Sequence, residues 1–150
     1  GGYDLKLRMC QDYDLWLRIS KKYPFAHINQ PLAKYRIHSG NISHGLKEGF
    51  ENHLRIYNKK EIMDGVGPLL RRRLRGVVCC RFAKRFGEAQ AFIDARNCYI
   101  KAVLYCPWVG YYIWPKEAKY MRFTFLYRIL RIYYLVLYYG LKNIFRRVKR

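Results

Sequence analysis

The placement of proline and glycine constrains the fold of this chain most, because both residues interrupt helices. Between these interruptions, apolar residues recur at helical spacing through the middle of the sequence. We predict helices over 46–63, over about 69–86 and over about 88–105, with Pro107 ending the last. The chain is therefore predicted to be mainly helical.

The last two of these predicted helices share a pattern of small and aromatic residues. The pattern has the spacing of one tetratricopeptide-like helical hairpin, and its members are Phe82, Ala83, Phe86, Ala95, Tyr99, Ala102 and Pro107. Small residues allow the two helices to approach closely, and aromatic residues fill the gap between them. A single hairpin cannot bury its own outer face, so we expect it to pack against a neighbour.

The first 45 residues combine one helix with extended segments. Apolar residues at helical spacing predict a helix over 13–19, and Asp12 and Asp14 at its start suit the positive end of the helix dipole. Segments 25–28 and 32–38 have the composition of two short strands.

Composition divides the chain into three predicted regions. Residues 1–45 are mixed, residues 46–110 are helical, and residues 111–150 are aromatic and basic with one acid, Glu117. Thirty Lys and Arg against ten acids give a formal charge of +20. This excess predicts attraction to a polyanion such as nucleic acid, acidic lipid or a phosphorylated substrate.

The five cysteines form an odd set without a C-x-x-C pair. We therefore expect reduced thiols and a cytoplasmic location, with Cys79, Cys80 and Cys98 packed in a core rather than binding metal. The sequence starts without an initiating Met or a leader-like apolar run, and we interpret it as a fragment of a longer protein.

An ordered series of motifs in the first third of the chain resembles one enzyme family. The series consists of Gly1-Gly2-Tyr3-Asp4, then Gln11 to Arg18, then Pro31 to His38, then Asn41-Ile42-Ser43. It resembles the end of the catalytic domain of family 2 glycosyltransferases, which have the GT-A fold. The resemblance implies an α/β parent domain with a mostly parallel sheet. It also implies transfer of a sugar from a nucleotide-sugar donor to an acceptor hydroxyl with inversion.

The resemblance implies that Asp12 is the general base. Inverting transfer needs a carboxylate within hydrogen-bond reach of the acceptor hydroxyl, to take its proton as the oxygen attacks. Gln11 stands where the family usually has Glu, so it retains hydrogen-bonding capacity but lacks the charge. The alternative for Asp12 is a first-turn acid that only supports its helix. Asp14 is interpreted in that second way, paired with Arg18 one turn on.

Further residues of the series are candidates for binding substrate. Trp16 is interpreted first as a core residue and second as an aromatic face for a sugar. The resemblance implies that His38 completes the coordination of a divalent metal, Mn or Mg, or touches the leaving diphosphate. Arg36 would share a strand face with His38 and hold phosphate. Substrate contacts are also implied for Asn41 and Ser43.

The donor side of the family's site is expected upstream of residue 1, so we predict that these 150 residues are inactive alone. The implied partners are a nucleotide-sugar donor and a glycan or lipid-linked acceptor, in envelope polysaccharide or glycoconjugate synthesis. His27, His44 and His53 have no partner pattern and are predicted to lie at the surface.

The tail, residues 119–150, is too often interrupted by charge for a membrane-spanning helix. As a helix it would gather Arg128, Arg131, Lys142 and Arg146 on one side, with Phe125, Ile129, Tyr133, Val136 and Leu137 opposite. This division fits packing on the hairpin, or peripheral association with an anionic membrane surface on its cytoplasmic face. Nucleic acid is not the expected partner.

A different class of function competes with the enzyme. Arg71-Arg72-Arg73-Leu74-Arg75 and the helical hairpin could form a basic binding module for nucleic acid or an acidic partner. Such a module needs no carboxylate-headed helix followed by Tyr35-Arg36-Ile37-His38. The sequence therefore favours the enzyme fragment.

Overall fold

The structure is a computed structural model that describes residues 2–36, 45–108 and 124–148. In these ranges the chain forms six α-helices, which are α1 Gln11–Ser20, α2 Leu46–Ile56, α3 Lys60–Met63, α4 Pro68–Glu88, α5 Phe92–Tyr105 and α6 Thr124–Val148. The described part is mainly helical, as predicted. The chain divides into two compact units, Gly1–Asp64 and Gly65–Arg150, where the sequence suggested three regions.

The predicted strand over 25–28 does not form, and neither does the described part of the strand over 32–38. Residues 21–36 are exposed throughout and make no strand pairing within the described ranges. A strand needs a neighbour that pairs with its N–H and C=O groups, and local composition alone cannot supply one.

The predicted helix over 46–63 is interrupted. α2 ends at Ile56, Lys59 has extended backbone angles of φ −63° and ψ 126°, and α3 begins at Lys60. At this interruption the Lys59 ammonium pairs with the carboxylate of Asp14 in α1 and with that of Asp4, which precedes α1. A tertiary ion-pair network therefore coincides with the break in an otherwise continuous helical pattern.

The core of the first unit combines residues from before α1 with residues of α2 and α3. Its buried apolar members are Leu7, Met9, Phe50, Ile56, Tyr57, Ile62 and Met63. Asn52 is a buried polar residue of α2, and its side-chain amide donates to the carbonyl of Met9 at 3.3 Å. This contact attaches α2 to the segment that leads into α1.

In the second unit, α4 and α5 pack as the predicted hairpin. Every residue of the predicted small-and-aromatic pattern is buried except Pro107, which is exposed. α6 packs on α5, and the Tyr139 ring stacks on Phe92 and Tyr99 with centroids 6.0 and 5.9 Å away. The expectation that the hairpin needs a neighbour is therefore confirmed.

The turn between α4 and α5 ends the first helix in a Schellman motif without glycine. Gln90 has φ 58°, the Ala91 N–H donates to the Phe86 carbonyl at 2.8 Å, and the Gln90 N–H donates to the Gly87 carbonyl at 3.1 Å. The sequence placed the start of α5 near Glu88 because glutamine in a left-handed position gives no turn signal. The helix begins at Phe92 instead.

Candidate functional site

Asp12 lies in the first turn of α1 with its side chain exposed. The helix begins after Cys10, whose backbone is left-handed at φ 64° and whose side chain does not cap the helix. One carboxylate oxygen of Asp12 accepts the N–H of Tyr13 at 2.8 Å. In the described residues Asp12 makes no ion pair, and its side chain is open to solvent.

Trp16 lies one turn after Asp12 on the same face of α1, since residues four apart are neighbours on a helix. Its side chain is 53% exposed, so the interpretation of Trp16 as a core residue is wrong. A carboxylate and an indole face are therefore presented together to solvent. Gln11 is half-buried at the start of the same helix.

Asp14 lies on the opposite face of α1 and is fully buried. Its carboxylate pairs with Arg18 at 3.0 Å, as predicted from their spacing, and with Lys59 at 2.6 Å. The Lys59 ammonium also pairs with Asp4 at 2.6 Å, and Arg18 donates to the Gly2 carbonyl at 2.7 Å. The sequence missed Lys59 and Asp4 because large separations along the chain leave no periodic signal.

The pKa values in this network move in the directions that its ion pairs require. A hydrogen bond from Lys59, with a second from the Lys6 backbone N–H, lowers the pKa of Asp4. Burial works against the charge on Lys59, but hydrogen bonds to Asp14 and Asp4 outweigh it and raise the pKa of its ammonium. Both groups are therefore held in their charged forms.

A second cluster joins α1 to α2 around His53. The Tyr13 ring stacks on the imidazole with centroids 5.4 Å apart, and the Tyr13 hydroxyl lies 2.6 Å from that of Tyr57. His53 Nδ1 lies 2.8 Å from the Gly49 carbonyl and 3.2 Å from the Cys10 sulfur. The prediction that His53 is a surface residue is wrong. Its half-buried ring helps to fix the start of α1.

Asp12 and Asp14 lie two positions apart at the start of α1, where two carboxylates could share a metal only if they converged. The two carboxylates do not converge here, because residues two apart on a helix face different sides. Asp12 faces solvent, and Asp14 is occupied by Lys59 and Arg18. This pair therefore does not fit a divalent metal.

Most of the other predicted ligands cannot be assembled into a site. His38, Asn41 and Ser43 lie outside the described residues, and Arg36 is exposed in the extended segment. Within the described ranges, no group of three or more His, Cys, Asp and Glu side chains could hold a metal. The metal and diphosphate roles remain predictions.

An open cleft of about 420 Å³ lies at the other end of α1. Leu15, Arg18, Ile19, Lys21, Lys22, Tyr23 and Glu61 line it. The Lys21 ammonium donates to the Asp64 carbonyl at 2.8 Å, and Arg18 is engaged with Asp14. Asp12 does not line this cleft, so the exposed face of Asp12 and Trp16 is a separate feature.

The arginine cluster of α4 is used inside the second unit. Arg72 donates to the carbonyls of Tyr105 and Leu104 at 3.0 and 3.3 Å, where α5 ends and its last carbonyls lack helical partners. Arg71 donates to the Val66 carbonyl at 2.7 Å, and Arg75 lies over the Tyr105 ring. These contacts give the cluster a structural role, which weakens the case for a nucleic-acid module.

Comparisons with models of protein families, with curated proteins and with solved structures found no match. Of the helices in the described parts of the chain, none combines the length and apolar character needed to cross a bilayer.

Proposed function

We propose that the first unit is the acceptor-activating segment of an inverting glycosyltransferase with a GT-A parent fold. The observation that supports this best is the pair of exposed side chains on one face of α1, Asp12 and Trp16. A solvent-facing carboxylate can take a proton, and an adjacent indole face can stack on a sugar ring. These are two requirements of an acceptor site.

In the proposed reaction, Asp12 removes the proton from the acceptor hydroxyl as its oxygen attacks the anomeric carbon. The new bond joins the acceptor oxygen to that carbon, and the bond from the carbon to the nucleoside diphosphate breaks. The proton remains on Asp12, and the diphosphate leaves with the electron pair. Arg36, His38, Asn41 and Ser43 are proposed to face this leaving group, with donor and metal bound by a preceding part of the protein.

The buried network on the opposite face of α1 supports this role by fixing the helix. Asp14 is tied to Lys59, which precedes α3, and Arg18 is tied to the Gly2 backbone. Positional control of this kind matters because a general base works only at hydrogen-bond distance from its substrate. The acceptor is proposed to be a glycan or lipid-linked glycan used in envelope polysaccharide or glycoconjugate synthesis.

The decisive experiment substitutes Asp12→Asn in the full-length protein and measures sugar transfer from a panel of nucleoside-diphosphate sugars. Asparagine can still accept the Tyr13 N–H but cannot act as a base. Transfer should fall by a factor of about 10²–10⁴ while donor affinity is retained. Glu61→Gln is the matched control, because Glu61 is also an exposed first-turn acid in this unit. Normal turnover in Asp12→Asn would remove Asp12 from the base role.

A second experiment tests acceptor binding on the 150-residue chain itself. Titration with an oligosaccharide acceptor should shift the indole N–H resonance of Trp16 in an NMR spectrum. Trp108 is the internal control, because it is exposed to a similar extent, 55% against 53%. Equal shifts at both indoles, or none at Trp16 across a panel of acceptors, would contradict the proposed sugar platform.

A further inference from the structure

α6 has two apolar faces, where the sequence pattern suggested one. Ile132 is 1% exposed, and Tyr139 stacks on Phe92 and Tyr99, so this face of the helix packs on α5. On the opposite side lies a second stripe, consisting of Leu130, Tyr134, Leu137 and Leu141. At 3.6 residues per turn, these four positions fall within an arc of about 60°.

This stripe is exposed to solvent along its whole length. The four side chains are 55%, 61%, 67% and 56% exposed in chain order. With a rise of 1.5 Å per residue, the stripe extends for about 17 Å along the helix. The packing on α5 therefore leaves a continuous apolar strip uncovered by any described residue, and such a strip marks an interaction surface.

The groups beside the stripe are tyrosines and cations. Tyr138 is exposed next to it, and its hydroxyl accepts a hydrogen bond from the Lys142 ammonium at 3.1 Å. Lys142 and Arg146 are both exposed. Their charged groups lie over the Phe92 ring of α5, with Lys142 Nζ 4.9 Å and the Arg146 guanidinium carbon 5.7 Å from its centroid. Apolar residues in the middle, with tyrosine hydroxyls and cations at the border, match the layers of a lipid interface.

Charge distinguishes between the occupants that such a stripe could have. α6 contains five Lys and Arg and no acid, and the last 33 residues contain nine Lys and Arg and no acid. Two copies packed stripe to stripe would bring like charges together without acidic partners, unlike the flanks of a stable coiled coil. Nucleic acid would satisfy the cations but would leave the exposed leucines in water. An anionic bilayer surface offers negative headgroups to the cations and an apolar boundary to the leucines.

We propose that the stripe Leu130–Tyr134–Leu137–Leu141 binds the surface of an anionic membrane, with α6 lying in the plane of the interface and α5 on its far side. Leucines enter the acyl boundary, while Tyr138 and Lys142 remain at headgroup level. The surface depends only on the second unit. It is therefore independent of the sugar transfer proposed for the first unit.

The experiment measures flotation of the 150-residue chain with two kinds of vesicle, phosphatidylcholine alone and phosphatidylcholine mixed with phosphatidylglycerol. The chain should float with the mixed vesicles at low salt, and much less with neutral vesicles or at high salt. Leu137→Ser combined with Leu141→Ser should lower the partition coefficient by at least about tenfold, because both leucines would otherwise leave water. Their exposure means that the fold is retained, which circular dichroism checks.

Leu69→Ser is the matched control, because Leu69 is 82% exposed on α4 and outside the stripe. It should change the partition coefficient by less than about twofold, since it removes no stripe contact. The proposal is overturned if the wild-type chain does not bind mixed vesicles at low salt, or if the control weakens binding as much as the stripe variant. It is also overturned if the stripe variant only dissociates a dimer, or only weakens nucleic-acid binding, with flotation unchanged.

Discussion

The Lys59 ammonium lies 2.6 Å from a carboxylate oxygen of Asp14, a residue 45 positions earlier in the chain. Asp14 is fully buried, and Lys59 also reaches Asp4. One cation therefore neutralises a buried carboxylate and connects three segments of the first unit. The contact also lies on the face of α1 opposite to Asp12, so it fixes the helix without occupying the candidate site.

Replacing Lys59 with methionine should strongly destabilise the first unit. Removing one partner of a buried ion pair typically costs 3–5 kcal/mol. Because Lys59 retains 17% exposure and Asp14 keeps Arg18, we expect a loss of about 2–3 kcal/mol in the free energy of unfolding. Urea denaturation of the 150-residue chain measures it, with the exposed neighbour Lys60→Met as control. Equal stability of the two variants would show that the network contributes little.

The same network predicts how stability depends on pH. The pKa of Asp4 is lowered on folding. Its contribution to the free energy of unfolding is therefore present above its pKa in the unfolded chain, about 4, and is lost as the pH falls below that range. The pKa of Lys59 is raised on folding from its ordinary value of 10.5. Its contribution to the free energy of unfolding is therefore present below about pH 10.5 and is lost as the pH rises further. The stability difference between wild type and Lys59→Met should therefore be largest between these limits and shrink on both sides. A difference that is constant from acid to alkali would contradict this.

The cysteines should divide into two groups by their reactivity with iodoacetamide. Burial raises the pKa of Cys79 to about 12, that of Cys98 to about 11 and that of Cys80 further still. The thiolate is the reactive form, so burial suppresses the reactivity of these three thiols. Cys10 and Cys106 are half-buried.

Mass spectrometry of the native chain should find label on Cys10 and Cys106 first. The other three cysteines should react only after denaturant is added, because their thiols are covered as well as protonated. Denatured chain is the control, and all five should react there at similar rates. Fast native labelling of Cys79 or Cys98 would show that the hairpin core opens readily.

Gly87→Ala should destabilise the second unit, although helix propensity alone predicts a gain of about 1 kcal/mol inside α4. A Cβ at residue 87 would overlap the Tyr139 side chain. Stacking on Phe92 and Tyr99 restricts how far that ring can move. We expect a net loss of about 1–3 kcal/mol, typical of overpacking. Thermal unfolding measures it, and in a Tyr139→Leu background, where the overlap is removed, the same Gly87→Ala change should cost much less.

Helix positions were largely predictable because periodicity and proline act locally. α1 and α4 form within a few residues of their predicted bounds, and most of the buried residues of the hairpin between Phe82 and Ala102 are those that the sequence pattern predicts, with Phe92 as an exception. The start of α5 was misplaced because its turn uses Gln90 in a conformation that glycine normally signals. The predicted strands failed because pairing depends on a partner that the local sequence does not contain.

For the candidate site, the sequence by itself determined that α1 begins with acids and that Arg18 can reach Asp14 one turn on. The tertiary structure alone decided which acid is buried and which is exposed. Lys59, Asp4 and His53 come from distant positions, and they reach α1 only when the chain folds back on itself. Helical periodicity shows that Asp12 and Asp14 face different sides. Only packing against the other segments determines which side faces solvent.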